Sequence, residues 1–358
     1  MNILQMTHQG DLGGATRSIT WLCRGLAERG HRVFVACRGE SRLAAALAAD
    51  PVTLVETDLS RGPGLVADAF RWRRWVREHE IDVVNAHASL DRHLASYLRV
   101  LGFRGAVVHT RRNVPLTTGG RVRAAFDAAT TDAIVCVSER VACQVVAAGV
   151  PEERVHTILN GLPMDRVAPS SGESSELRQR LNLDPGTPVV GVVARRKSQE
   201  DLLRAVIRLE RPVEILFAGV EEDPELLSLA RELPEGSRLH CLGYIGEVAA
   251  VLGLLDVFVL PSSIEGFSLA LLEAMARGLP CIATDAGGNR EALADGAGIL
   301  VPPGDVRALA NALAGLLDDA DARREMGESA RDRARDRFHV NRTVERTAAL
   351  YQSILAGG

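Results

Sequence analysis

Lysine is almost absent from this chain of 358 residues. Of its 42 basic residues 41 are arginine, and the one lysine is Lys197. Such a bias arises where arginine replaces lysine at every position that needs only a positive charge. A surviving ammonium then marks a place where a compact point charge fits and a planar fork does not, although chance survival is the competing account. An excess of charge of one sign is also missing. The 46 acidic residues bring the net charge to −4, which gives no basis for a nucleic-acid partner. No apolar run approaches the roughly 20 residues that span a bilayer. The start, Met1-Asn-Ile-Leu-Gln-Met-Thr-His8, lacks the basic region and apolar stretch of an export signal, so a cytosolic protein is expected. The six cysteines show no C-x-x-C spacing, and four of them sit in apolar strand-like runs, as buried reduced thiols do. No His/Cys cluster has metal-ligand spacing. The one D-x-D triplet, Asp319-Ala-Asp321, lies in an Ala/Arg-rich helical tail, so neither metal nor other cofactor is expected.

What is present is regular alternation. Short apolar runs near 2–6, 32–37, 52–56, 82–86, 106–110, 133–137 and 155–158 read as strands, with helical patterns between them. Around 168–175 the chain turns to Pro, Ser, Gly and Glu, a composition that joins domains. A second series follows near 188–193, 213–218, 238–241, 256–260, 280–283 and 298–301. Alternation of this kind predicts an α/β protein with two parallel sheets and right-handed crossovers. The expected domains are 1–167 and 168–339. Ligands of such sheets bind beyond the carboxyl ends of strands, and the chemistry-bearing residues below all follow a strand.

The most informative segment runs from Pro261 to Pro280. Val257–Leu260 reads as a buried strand, a short loop carries Glu265 and Gly266, and helix composition begins near Ser268. Glu273 falls mid-helix among Leu269, Leu271, Leu272, Met275 and Ala276, so its carboxylate is expected to be buried and in need of hydrogen-bond partners. Gly266 and the backbone N–H groups of Phe267, Ser268 and Leu269 are expected to form a helix N-terminus that takes a phosphate. Phosphate there and a diol beside Glu273 suggest a nucleotide, with Glu265 facing whatever the phosphate carries. Upstream, Arg195 and Lys197 follow the apolar strand Val189–Val193 and suit a diphosphate. Gly13-Gly14, after the first strand, leave room for a phosphate or sugar, but a Gly-Gly before a helix is also ordinary turn chemistry. The loop does not fit G-x-G-x-x-G, which counts against a nicotinamide dehydrogenase.

Glu265 and Glu273, with Pro-Ser before them, Gly-Phe between them and Glu-Ala-Met-Ala-Arg-Gly-Leu-Pro after, form an E-x7-E pattern that resembles the retaining glycosyltransferases of family 4. Further matches follow in family order: Asp11-Leu-Gly13-Gly14-Ala, Glu28-Arg-Gly-His31, Asp82-Val-Val-Asn-Ala-His87, Asn160-Gly161, Arg195 with Lys197, and Gly287-Gly288-Asn-Arg-Glu291. The resemblance implies GT-B architecture: two Rossmann-like lobes facing a cleft, an acceptor side and a donor side, with a last helix at about 340–356 returning to the first lobe. It implies that Arg195 and Lys197 hold a diphosphate, Glu265 binds the transferred sugar, Glu273 the ribose, and His87 the donor sugar and reacting centre. A lone His at a strand end is otherwise more often structural. The loop is shorter than the family pattern and Ser198 stands where Gly follows the Lys, so Arg195 and Arg196 both qualify, with Arg195 favoured. The function implied is metal-independent transfer of a hexose from a nucleotide sugar to the hydroxyl of an acceptor sugar, lipid-linked sugar or small molecule, in envelope-glycan, glycolipid or polysaccharide synthesis. A sugar-nucleotide epimerase or hydrolase of the same fold and a non-catalytic sugar-binding protein are the rivals. Phe70-Arg-Trp-Arg-Arg-Trp75-Val-Arg77 suits either peripheral contact with the inner face of a membrane or a crossover helix that buries Phe70 and Trp75.

Overall fold

The computed structural model describes residues 1–8, 13–112, 120–167, 171–246 and 248–357; Asp11 and Leu12 of the first loop lie outside them. The chain forms two compact α/β units, one made of Met1–Gly161 and Val340–Gly358, the other of Leu162–His339. Unit 1 is built on seven parallel strands: β1 (Asn2–Met6), β2 (Arg32–Cys37), β3 (Thr53–Glu56), β4 (Val83–Ala86), β5 (Ala106–Arg111), β6 (Ala133–Cys136) and β7 (Val155–Thr157). They lie in the order β3-β2-β1-β4-β5-β6-β7. The central strands are apolar on both sides because helices cover both faces. Ile3, Val33, Val35 and Val83 pack with Leu22 and Leu26 and with Val344 and Tyr351 of the helix Val340–Gly357. Leu4, Phe34 and Val84 pack on the other face against Trp72, Val76 and Leu94.

The basic helix Gly64–Glu78 departs from expectation. Its inward stripe is Leu65, Ala69, Trp72 and Val76, a spacing of three and four, with Trp72 buried and Trp75 stacked on His79 at 4.0 Å. Phe70 falls on the opposite face and is 56% exposed, because a helix advances 100° per residue. Among the cysteines, all free, Cys23, Cys37, Cys136 and Cys281 are buried but Cys143 is exposed.

Unit 2 has six parallel strands: β8 (Val189–Val193), β9 (Glu214–Ala218), β10 (Arg238–Cys241), β11 (Val257–Leu260), β12 (Cys281–Thr284) and β13 (Ile299–Val301), in the order β10-β9-β8-β11-β12-β13. Of the polar stretch expected as a join, residues 168–170 lie outside the described residues and the remainder opens a helix, Ser171–Arg180. Each sheet reverses its strand order once near its centre, between β1 and β4 in unit 1 and between β8 and β11 in unit 2. At such a switch point the two following helices leave on opposite faces and open a crevice at the carboxyl ends of the strands. The loops after β1, β4, β8 and β11 carry His8, His87, Lys197 and Glu265, in that order.

Candidate active site

In unit 2 the two central loops meet. After β8 the segment Ala194–Lys197 is held by the buried Gln199, whose side chain accepts from the Lys197 N–H and donates to the carbonyls of Arg195 (2.9 Å) and Ala194 (3.3 Å). Ser198 completes the loop with φ +60°, a left-handed conformation that favours glycine. Lys197 Nζ is thereby aimed across to the β11 loop, where it donates to Glu265 Oε1. Ser262 Oγ donates to the same oxygen at 2.8 Å. Glu265 is only 7% exposed, so these donors stand in for the water it has lost. The loop is propped from behind by Gly287, at φ +53°. A Cβ there would lie 1.9 Å from the Glu265 carbonyl oxygen, and Gly288 N–H donates to Gly266 O at 2.9 Å. Arg195 is exposed, whereas Arg196 is committed to Glu200 (3.1 Å), Glu225 (2.8 Å) and Asp223.

The helix that follows begins near Ser268, as expected, but Phe267 falls outside its first turn. Ser268 is its N-cap, its Oγ accepting from Leu271 N–H at 3.4 Å, and the helix spans Leu269–Arg277. Gly266 and Phe267 therefore belong to the loop, and Phe267 packs edge-on to Phe338 at 5.4 Å. The first-turn N–H groups of Leu269 and Ala270 have no intrahelical acceptor by geometry. Glu273 lies one turn further and is 1% exposed. Its Oε1 accepts from Arg166 Nε at 3.1 Å, and Arg166 also donates to Gly246 O at 3.3 Å. Arg166 was not singled out in the sequence, because nothing local distinguishes it; its partner is 107 positions away. Gln199 and Ser262 were missed although their partners lie within five residues, because a polar side chain at a helix start or in a loop is too common to stand out.

Unit 1 places His87 just past β4, 6% exposed. Its Nε2 lies 2.7 Å from Gln5 Oε1, and its Nδ1 faces Arg112 Nε at 3.2 Å. A guanidinium only donates, so Nδ1 accepts, Nε2 carries the proton, and the ring is neutral. Burial, with Arg112 and Arg92 adding to it, holds its proton affinity well below the usual histidine range. Both ring nitrogens are engaged inside unit 1, leaving His87 neither a free N–H nor a free lone pair for a substrate. Behind it, Asn85 Nδ2 donates to Gln5 Oε1 (3.1 Å) and to Tyr351 Oη (2.7 Å), tying the returning helix to the network. Gly13 (φ +130°) precedes the helix Gly14–Glu28, which has neither a capping side chain nor an acidic residue in its first turn. Among the described residues no three His, Cys, Asp or Glu side chains are grouped to hold a metal ion.

Residues 12–166 match the family described as Glycosyltransferase Family 4, and residues 174–333 match Glycosyl transferases group 1. The N-acetyl-alpha-D-glucosaminyl L-malate synthase of Bacillus anthracis is 25% identical over 96% of this chain and 95% of its own. The lipopolysaccharide core biosynthesis mannosyltransferase LpsB of Rhizobium meliloti is 27% identical over 63% of this chain and 66% of its own. Among solved structures, Anabaena Alr3699/HepE in complex with UDP and glucose has the same fold, with a TM-score of 0.85 at 21% identity, over 99% of this chain and all of that one.

Proposed function

The chain belongs to the family 4 glycosyltransferases of GT-B architecture, and on that premise we propose that it moves a hexose from a nucleotide-diphosphate sugar, held by unit 2, to an acceptor hydroxyl with retention at the anomeric carbon. The observation that carries this reading is the meeting of Lys197 and Glu265 at the switch point of the second sheet. Lys197 and the uncommitted Arg195 offer positive charge to the diphosphate, and the first-turn amides of the helix Leu269–Arg277 add to it. Glu273, desolvated and oriented by Arg166, accepts from ribose hydroxyls; Glu265 accepts from hydroxyls of the sugar. The bond from the anomeric carbon to the diphosphate oxygen breaks, the acceptor oxygen bonds on the same face, and the acceptor proton passes to the departing phosphate oxygen. No protein nucleophile and no metal are then required. Catalysis comes from cations fixed where negative charge develops.

The names of the relatives support a hexosyl-type donor: glucosaminyl for one, mannosyl for another, and UDP with glucose in the Anabaena complex. Their acceptors, malate and lipopolysaccharide core, differ too much to be carried over. No described helix is long and apolar enough to cross a membrane. The exposed Val66 and Phe70 beside Arg73, Arg74 and Arg77 suit contact with an anionic bilayer surface, which a liposome sedimentation assay at low salt tests.

The deciding experiment is a panel of UDP-, GDP- and ADP-sugars scored by melting shift and nucleotide release, with the products resolved with and without acceptor. Conversion of the donor alone would favour an epimerase or hydrolase. Lys197→Ala and Glu265→Ala should keep the circular dichroism of the wild type and lose about 2 to 4 kcal/mol of transition-state stabilisation, roughly one and a half to three decades in kcat. Wild-type turnover in either variant removes these roles.

A further inference from the structure

Arg112 follows β5 in unit 1, and its guanidinium has no counter-ion among the described residues. Nε donates to His87 Nδ1 (3.2 Å) and Nη1 to Ser18 Oγ (2.6 Å) and Asn160 Oδ1 (3.2 Å), while Nη2 has no hydrogen bond to any described residue. The acidic groups nearest in effect are Cys23 and Tyr351, and burial pushes both far up, so neither is an anion. Burial also lowers the proton affinity of Arg112, to about 10, which leaves it a cation at neutral pH. Its chain neighbour Arg111 shows the ordinary solution, an ion pair with the buried Asp127 at 2.7 Å. A half-buried cation without an anion is costly, and three neutral acceptors do not cancel its charge. They do fix its plane, so that one N–H edge is held ready.

A second feature points to the same ligand chemistry. Ser18, which Arg112 grips, belongs to the helix Gly14–Glu28, whose N-terminal end has no capping side chain and no acid in its first turn. A helix start of this kind favours negative charge. Both groups stand at the switch point between β1 and β4, where an open parallel sheet receives its ligand.

We propose that Arg112 binds an anionic group of the acceptor, a carboxylate or a phosphate monoester, so that the sugar is transferred to an acidic hydroxyl compound. The inference rests on the glycosyl-transfer reading above, and deepens it by naming the acceptor class. Calorimetry tests it on the full chain with inorganic phosphate and with malonate, each with and without saturating UDP. Phosphate or malonate should bind wild type in the presence of UDP, and the tighter of the two names the anion. Arg112→Gln should weaken that binding about tenfold or more, and Arg112→Lys, which keeps the charge but not the fork, should fall between. UDP affinity should stay level in both variants. Should the Gln variant fail to melt cooperatively, the Lys variant carries the comparison. Loss of anion binding when UDP is present would mean that the ion occupies the diphosphate position, and equal binding by wild type and variants would mean that Arg112 is not its ligand; either overturns the proposal. A chain that takes phosphate through Arg112 but takes no UDP overturns the donor reading and leaves the anion site standing.

Discussion

Ser198 shows how a single residue departs from the family pattern at measurable cost. It holds φ +60° while its hydroxyl accepts no cap hydrogen bond from the helix Gln199–Ile207, so the side chain returns nothing for the strained backbone. A non-glycine residue in the left-handed region costs about 1 to 2 kcal/mol. Glycine there would recover that, less the ~0.4 to 1 kcal/mol by which it loosens the unfolded chain. Ser198→Gly should therefore stabilise the chain slightly, by about 0.5 to 1 kcal/mol, read as a higher urea midpoint, and leave transfer intact. A lower midpoint would show that the loop needs the hydroxyl. At this scale the sequence was only half legible. Glu265, Glu273 and Lys197 were found because loop position, helical period and rarity marked them. Arg166 and Arg112 went unseen because their importance lies in partners distant along the chain, which no local pattern encodes; Gln199 went unseen although its partners are local.

Strands and helices were more legible than residues. Most strands follow a short apolar run bounded by polar turns, as a buried parallel sheet demands, whereas β3, β7 and β10, at the ends of the two sheets, carry Thr, Glu, His or Arg and are only partly buried or exposed. The face of a helix was harder to read. In Gly64–Glu78 Trp72 won the interior over Phe70, and the aromatic count alone could not decide which. Beside it, β5 carries a residue that sequence left unremarked. His109 is wholly buried, neither ring nitrogen has a hydrogen-bond partner among the described residues, and burial, then Arg92, Arg111 and Arg123, hold its proton affinity well below 6.5. The unfolded chain takes up that proton near pH 6.5 and the folded one refuses it. The stability due to the neutral ring is therefore present above about pH 6.5 and lost as the pH falls, at about 1.4 kcal/mol per unit. His87 adds a second loss of the same sign. His109→Leu, which removes unpaired polar atoms from the core, should fold and show a shallower fall in urea midpoint between pH 7.5 and 5.5 than wild type. Identical slopes would mean that the ring is protonated in the folded state.

On the scale of the whole molecule, the two units differ in how the chain builds them. Unit 2 is one continuous stretch, Leu162–His339, but unit 1 is closed by a helix made last. That helix brings Val344, Ala348 and Tyr351 into the first core, and Gly25 lets it come close: a Cβ there would lie 2.5 Å from a Val344 methyl carbon. Tyr351 Oη also accepts from Asn85 and from Gln5, and the Gln5 amide oxygen holds His87. Without the helix those buried donors lose their acceptor and the apolar face of Gly14–Glu28 meets water. Burial of three such side chains is worth several kcal/mol against a total stability of about 5 to 15. Residues 162–339 expressed alone should therefore melt in one cooperative transition and bind UDP as the full chain does. Residues 1–161 alone should lack such a transition and regain it when a peptide of 340–358 is added. A cooperative melt of 1–161 without the peptide would show that the returning helix only decorates a finished unit, and that the network behind His87 and Arg112 forms without it.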